Sequence, residues 1–150
     1  MRTKKRFKVP VAVHMLFERH DKLLMLRRVN TGYEDGKWSV PAGHVDKNES
    51  ITTALIREMK EELGVLPLNY TFEHILHKKD PVDGEERVDL FFSCNRWKGK
   101  ITRMEPDKNA ALKWYTVSNL PVDTVDYVKH AIREIHKRSK FSEFGWTRRE

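Results

Sequence analysis

Apolar and polar residues alternate along several stretches of the chain, and this two-residue period is typical of β-strands. The first stretch runs from residue 7 to residue 17, where every second position, from Phe7 to Phe17, is apolar. Similar patterns predict further strands at residues 23–29, 38–40, 70–77, 88–94 and 112–117. Apolar residues recur at helical spacing in residues 50–63 and from Val125 to Ile135. Strands arranged around one central helix and one late helix predict an α/β sandwich built on a mixed sheet.

Turn-forming residues separate these elements. Residues 30–37 contain two glycines and are predicted to form a loop, and Asp83-Gly84 predicts the turn of a hairpin. Gly64 is expected to end the central helix, and Asn48 or Ser50 to cap its start.

The composition indicates a globular protein of ordinary size. The 150 residues fit one domain, with a basic arm at residues 1–8 and a tail at residues 141–150 for which no element is predicted. Charged residues make up 34% of the chain, and no apolar run approaches the roughly 18 residues of a membrane helix. Cys94 is the single cysteine, which excludes an internal disulfide and a multi-cysteine zinc site. The strand-like start does not resemble a secretory signal, so we expect a cytoplasmic protein.

The charge balance favours anionic partners. There are 29 Lys and Arg residues against 22 Asp and Glu residues, which gives a net charge of +7. Much of the excess lies near the two ends of the chain. Basic ends are usually solvated tails, but they leave nucleic-acid binding open as an alternative.

The central helix carries carboxylates on an unusual face. With Ile51 as the origin, helical geometry places Glu58 and Glu62 within about 20° of it, inside the apolar arc. Lys60 lies roughly 180° away and cannot neutralise them. Like charges at i and i+4 repel each other, and partial burial raises the cost unless a cation compensates. A solvated acidic face and a site for a hard divalent ion such as Mg²⁺ or Mn²⁺ both remain open on geometry alone.

The spacing of the segment resembles a known motif. Gly43 is followed by five residues and Glu49, then by seven residues and a nine-residue run. That run is Arg57-Glu58-Met59-Lys60-Glu61-Glu62-Leu63-Gly64-Val65. Every fixed position of the Nudix box is filled, so the chain resembles the Nudix hydrolase superfamily. The resemblance implies an α/β/α sandwich with a mixed sheet and a loop–helix–loop box that binds Mg²⁺, with Mn²⁺ as a substitute.

The same resemblance implies roles for the residues of the box. Glu58, Glu61 and Glu62 would be metal ligands, and the carboxylate cluster would supply the general base. Glu49 would join the metal through water or pair with Arg57, which would orient the carboxylates. The carbonyl of Ala42 is implied as a further ligand, although most of the family has glycine at that position.

Other segments are similar to the MutT-like nucleoside triphosphate diphosphatases. The spacing from Arg28 to Gly43 resembles the arrangement in which an arginine contacts substrate, and Arg27 is its neighbour on the same strand. Because adjacent strand residues point to opposite faces, only one of the two can face the metal helix. The aromatic residues of segment 32–38, Tyr33 and Trp38, would contact a base, with a core position as the alternative for Trp38. Glu105 would be an additional acid near the metal.

The activity implied is cleavage of a nucleoside diphosphate linked to another group. A (d)NTP or modified (d)NTP, giving a nucleoside monophosphate and pyrophosphate, is the first expectation. ADP-ribose and dinucleoside polyphosphates are alternatives within the same class. A nucleotide- or RNA-binding module without turnover is the alternative of another class. Many relatives form dimers, so a homodimer is also open.

Overall fold

The structure is a computed structural model that describes residues 4–147. Two α-helices lie within this range, α1 at Ile51–Leu63 and α2 at Asp126–His136. The strands are β1 Val11–Arg19, β2 Lys22–Arg28, β3 Trp38–Ser39, β4 Ala42–His44, β5 Leu66–Pro67, β6 Thr71–Lys79, β7 Glu86–Cys94, β8 Trp97–Lys98, β9 Asn109–Thr116 and β10 Phe141–Phe144. A 3₁₀ turn follows β9 at Val117–Asn119.

Strand β1 lies at the centre of a mixed sheet. It runs parallel to β7 and antiparallel to β2 and β4. Beyond β7 come β6, antiparallel to β7, and β10, parallel to β6. On the other side, β2 pairs with β3 and β9. The mixed sheet predicted from the sequence is confirmed.

The two faces of β1 contribute to two separate cores. Val13, Met15 and Phe17 are fully buried in a cluster that includes residues of α1. Leu16 points the opposite way, into a cluster that contains Val128 and other residues of α2. Because each face of the sheet is covered by one helix, the fold is the α/β/α sandwich expected from the resemblance.

Helix α1 ends at Leu63 as predicted and begins at Ile51, one residue after the predicted start. The Ser50 hydroxyl accepts a hydrogen bond from the Thr53 N–H at 3.2 Å, which makes Ser50 the N-cap rather than Asn48. Gly64 has a φ of 70°, in the left-handed region, and its N–H donates to the Lys60 carbonyl at 3.0 Å. These two caps fix the register with which the helix presents its carboxylates.

Both ends of the chain differ from the expectation. Strand β1 begins at Val11 rather than Phe7, because Pro10 has no N–H for the ladder; Phe7 is exposed. The tail contains strand β10, whose parallel pairing with β6 had no counterpart in the predicted elements. The outermost residues of the predicted arm and tail, 1–3 and 148–150, lie outside the described residues. Within residues 4–147, no helix is long and apolar enough to cross a membrane.

Candidate active site

A cleft of about 630 Å³ opens over one face of the sheet. Its acidic end is formed by four carboxylates, Glu58, Glu61, Glu62 and Glu105. The opposite end, called the basic end here, contains the cations Lys78 and Arg87 and the rings of Tyr33 and Tyr127. The strands that cross the cleft follow the order β4–β1–β7–β6. Strand β4 lies beside the acidic end and Lys78 lies on β6, so three strand spacings, or roughly 14 Å, separate them.

Arg57 organises the carboxylates of the box. Its Nε and Nη2 donate to the two carboxylate oxygens of Glu49 at 2.6 and 2.9 Å. Its Nη1 donates to Glu58 at 2.9 Å and to Glu61 at 3.3 Å. The hydrogen bonds from Arg57 lower the pKa of Glu49 to about 2. Of the two roles expected for Glu49, the structure therefore has the pairing with Arg57, which positions the arginine.

Gly43 provides the space that Glu58 occupies. A Cβ atom at residue 43 would overlap the carboxylate of Glu58. Because β4 pairs with β1, the backbone at Gly43 is held against helix α1 and has little freedom to retreat. The first residue of the motif is thus glycine for a steric reason, and the glycine allows the carboxylate to lie directly on the loop.

Two of the acids are held in an environment that disfavours their charge. Burial raises the pKa of Glu58, while Arg57 opposes this shift. Burial raises the pKa of Glu62 well above its ordinary value, and the negative charges of Glu58 and Glu105 add to the effect. The buried Oε2 of Glu62 has no hydrogen-bond partner among the described residues. Such a group is stabilised by a cation, which is the condition a metal ligand satisfies.

The carboxylate oxygens are suitable ligands for a hard cation, but the side chains are not gathered around one point. Within residues 4–147, no three His, Cys, Asp or Glu side chains are grouped closely enough to hold one ion. The Nη1 of Arg57 holds one oxygen of Glu58 and one oxygen of Glu61. The other oxygen of each carboxylate is the one that would coordinate an ion. The donor set fits Mg²⁺ or Mn²⁺ by chemistry, and the proposed ligand set stays a prediction.

Two of the four predicted substrate contacts, Arg28 and Tyr33, line the cleft. The Nε of Arg28 donates to the Tyr33 carbonyl at 2.8 Å, and the guanidinium lies 5.6 Å from the centre of the Tyr33 ring. Ala42 and Glu105 also line the cleft, and Glu105 lies 3.5 Å from the Lys108 ammonium.

The other two predicted contacts, Arg27 and Trp38, are not among the residues that line the cleft. Arg27 is exposed and donates to the Gly36 carbonyl at 3.2 Å, so Arg28 is the arginine of the pair that faces the site. Trp38 is 7% exposed, and its ring packs edge-on against Tyr115 at 5.4 Å. The structure therefore gives Trp38 the core position that was its alternative.

Sequence reasoning missed most of the basic end and the polar residues beneath it. The Nε2 of His14 donates to the Asp89 carboxylate at 2.9 Å, and Arg87 donates to the same carboxylate at 2.8 Å. A signal was present, since Arg87 and Asp89 alternate with the apolar residues of β7 and share a face with the fully buried Phe91. A charged pair on the same side as a core phenylalanine indicates a buried polar cluster.

The pattern that defines the NUDIX domain family matches residues 7–138. Among curated proteins, the chain is 26% identical over 119 residues to an ADP-ribose pyrophosphatase of Methanocaldococcus jannaschii, covering 79% of this chain and 69% of that protein. It is 26% identical over 96 residues to an 8-oxo-dGTP diphosphatase of Proteus vulgaris, covering 63% of this chain and 83% of the relative.

A solved structure supports the same assignment. The crystal structure of the MutT NUDIX hydrolase from Burkholderia pseudomallei superposes with a TM-score of 0.79 at 27% identity, covering 85% of this chain and 98% of the other. The chain belongs to the NUDIX family. Its fold and its relatives are those of the MutT-like Nudix hydrolases, enzymes that act on phosphoanhydride bonds.

Proposed function

We propose that this protein is a divalent-metal-dependent nucleotide pyrophosphatase. The substrate we propose first is a ribo- or deoxyribonucleoside triphosphate, or a modified one, which would be cleaved to a nucleoside monophosphate and pyrophosphate. The observation that carries the proposal is Glu62, whose carboxylate has one buried, unpartnered oxygen and lies beside Glu58 and Glu105 in a cleft. A bound cation would relieve this concentration of negative charge.

The residues of the acidic end have distinct roles in this proposal. Glu58, Glu61, Glu62 and the carbonyl of Ala42 would hold Mg²⁺, or Mn²⁺ in its place. When bound, such an ion neutralises the diphosphate and lowers the pKa of a coordinated water. Because the carboxylates interact strongly, proton abstraction from the attacking water is assigned to their cluster, Glu105 included, rather than to one member.

The cations beside the cluster position its carboxylates and the substrate. Arg57, held from behind by Glu49, fixes Glu58 and Glu61 through its Nη1. Arg28 lies on the cleft wall, where its guanidinium would bind a phosphate group of the substrate. Tyr33 would contact the nucleoside from the loop that Arg28 also contacts.

A panel of nucleotides tests the proposal. The protein is incubated with Mg²⁺ and ATP, GTP, CTP, UTP, their deoxy forms, 8-oxo-dGTP and ADP-ribose, and the products are separated by ion-exchange chromatography. Release of nucleoside monophosphate with pyrophosphate from a triphosphate supports the proposal. No hydrolysis of any nucleotide, together with tight and salt-sensitive RNA binding, would favour the non-catalytic alternative.

ADP-ribose is the second candidate substrate. The observation in its favour is the similarity to the ADP-ribose pyrophosphatase, which extends over 79% of this chain. Formation of AMP and ribose 5-phosphate at a higher kcat/KM than for any triphosphate would support this alternative. The homodimer and the cytoplasmic location stay predictions, and the former is tested by light scattering on the purified protein.

A further inference from the structure

Lys78 carries a buried positive charge that the protein leaves largely uncompensated. The residue is 5% exposed, in strand β6, and its ammonium faces the cleft. It donates one hydrogen bond, to the Tyr33 hydroxyl at 3.1 Å, and lies 4.3 Å from the centre of the Tyr127 ring. Among residues 4–147 it forms no ion pair with a carboxylate. An ammonium has three donors, so two are available to a ligand.

Arg87 adds a second cation beside it. The two residues are directly opposite each other in the pairing of β6 with β7. The Nε of Arg87 donates to Asp89, whereas its buried Nη2 has no partner among the described residues. Its side chain is 11% exposed and lines the same cleft.

The polar residues under these cations do not cancel their charge. Asp89 is the one carboxylate that either cation contacts within the described chain, and it is shared with His14. Burial lowers the pKa of His14, so His14 is neutral at physiological pH. Among the direct contacts of the described residues, one carboxylate therefore faces two cations. Asp80, Asp83 and Glu85 also line the cleft, at the hairpin between β6 and β7. The charges of Asp80 and Glu85 act on Lys78 through space, but within the described chain neither forms an ion pair with it.

From this arrangement we infer that Lys78 and Arg87 form a subsite that binds an oxygen acceptor of the substrate and sets substrate specificity. The inference rests on the proposed function, because it assumes that a nucleotide occupies the cleft. The Nη2 of Arg87 has no partner among the described residues, and the Lys78 ammonium has one hydrogen bond. Both are matched by an oxygen with lone pairs and negative or partial negative charge. Cations already lie over the rings of Tyr33 and Tyr127, so an acceptor that reaches the cations fits better than a base stacked on these rings.

Two parts of a nucleotide carry such an oxygen. One is a carbonyl group of the base, which guanine and uracil have and adenine lacks. The other is a phosphate group that the acidic end does not hold. The subsite lies roughly 14 Å from the β4 edge, which is within reach of either end of an extended nucleotide.

The test compares Lys78→Met with Lys79→Met. Lys79 is the next residue of β6 and is absent from the cleft lining, so it is a matched control. The values of kcat and KM for ATP, GTP, UTP and ADP-ribose are measured with Mg²⁺. Binding of the α,β-methylene analogues of the three triphosphates is measured by calorimetry, which requires no turnover.

We expect Lys78→Met to raise KM and the analogue Kd by roughly 10- to 100-fold, the effect of one hydrogen bond to a charged donor. If the acceptor is a base carbonyl, GTP and UTP are affected and ATP is not. If the acceptor is a phosphate, all three triphosphates are affected alike. Lys79→Met should change neither value by more than about twofold, and Lys78→Arg should retain part of the affinity.

Stability separates a binding role from a structural one. Removal of an uncompensated buried charge should raise the Tm of the free Lys78→Met protein, whereas loss of a structural contact would lower it. Unchanged KM and Kd for every nucleotide in a folded Lys78→Met protein would overturn the inference. If Lys78→Met does not fold, Lys78→Gln provides the same comparison, since it removes the charge from the same position and keeps a polar side chain that can donate to the Tyr33 hydroxyl.

The outcomes for the subsite and for the proposed function are distinct. A wild-type protein that binds the analogues but hydrolyses no nucleotide would refute the proposed function, and the effect of Lys78→Met on Kd would still decide the subsite. A wild-type protein that binds no analogue would overturn the subsite as well.

Discussion

The two ends of the cleft handle concentrated charge in different ways. At the acidic end, one guanidinium is shared among Glu49, Glu58 and Glu61, while Glu62 keeps a buried oxygen without a partner. At the basic end, one carboxylate, Asp89, serves both Arg87 and His14, while Lys78 has no ion pair in the described chain. Each end is therefore compensated in part by the protein. Among the described residues, a carboxylate oxygen is left without a partner at one end and a guanidinium nitrogen at the other, which suits a ligand system of a cation and an anion.

The difference also concerns how each end is encoded. The acidic end comes mainly from neighbouring residues of helix α1, namely Glu58, Glu61 and Glu62. The basic end is assembled from a loop, two strands and helix α2, through Tyr33, Lys78, Arg87 and Tyr127. The first pattern is local in sequence, and the second exists only after the sheet has formed.

Removal of the Glu62 charge should have the largest effect. Glu62→Gln keeps the size of the side chain but removes the charge that attracts a metal, so we expect kcat to fall by at least about 100-fold. The measurement is steady-state hydrolysis with Mg²⁺, with circular dichroism to confirm the fold. Unchanged turnover would remove Glu62 from the metal ligands.

The same variant should stabilise the free protein. The pKa of Glu62 is raised in the folded state, so the folded state binds more protons than the unfolded state above the ordinary pKa, and stability falls as pH rises. A neutral Gln removes this loss. At pH 7 without metal we expect a gain of about 1 kcal/mol in the free energy of unfolding, measured by urea denaturation. A loss of stability would contradict burial as the cause of the shift.

Gly43→Ala should disturb the acidic end without altering any charge. The added methyl group would overlap the carboxylate of Glu58, which must move. Because a small misplacement of a catalytic group is costly, we expect kcat/KM to fall by roughly 10- to 100-fold. The control is Ala42→Gly, which keeps the neighbouring carbonyl and introduces no atom, and its effect should be much smaller. Equal effects of the two variants would show that the space at Gly43 is unimportant.

The two ends also explain which parts of the molecule could be predicted from the sequence. The helix of residues 50–63, its caps and its inward acids follow from local spacing, and the strand pattern gives the mixed sheet. The edge strand β10 was missed because its pairing with β6 is a long-range contact with no local pattern. For Arg87 the alternation with Asp89 on the face of Phe91 indicated a buried polar cluster but not its partners. The pairing that places Lys78 opposite Arg87, under Tyr127, is a long-range contact that the sequence near either residue does not report.

Arg28→Ala and Arg27→Ala compare a residue on the cleft wall with its neighbour outside the cleft. Loss of a charged hydrogen-bond donor to phosphate should raise the KM of Arg28→Ala about 10-fold, with a smaller change in kcat. Arg27→Ala should change KM by less than about twofold. The measurement is hydrolysis of the best substrate from the nucleotide panel. A larger effect at Arg27 would mean that the loop at residues 30–37 rearranges when substrate binds.

The smallest effect concerns Glu49 and appears only in acid. Its pKa falls from an ordinary 4.5 to about 2 because Arg57 donates two hydrogen bonds to the carboxylate. The folded state therefore binds fewer protons than the unfolded state between these values. The stabilisation by Glu49 is fully present above pH 4.5 and is lost as pH falls to about 2.

Glu49→Gln isolates this contribution. The variant should be less stable than the wild type at pH 7, and the difference should shrink as pH falls through the same window. Thermal unfolding from pH 7 to pH 2 measures it. Glu49 and Glu62 would then have opposite pH dependences within one site. Acid removes the stabilisation by Glu49, which Arg57 holds, and relieves the cost of burying the charge of Glu62. A constant difference between Glu49→Gln and the wild type at every pH would show that Arg57 does not hold Glu49 in its charged form.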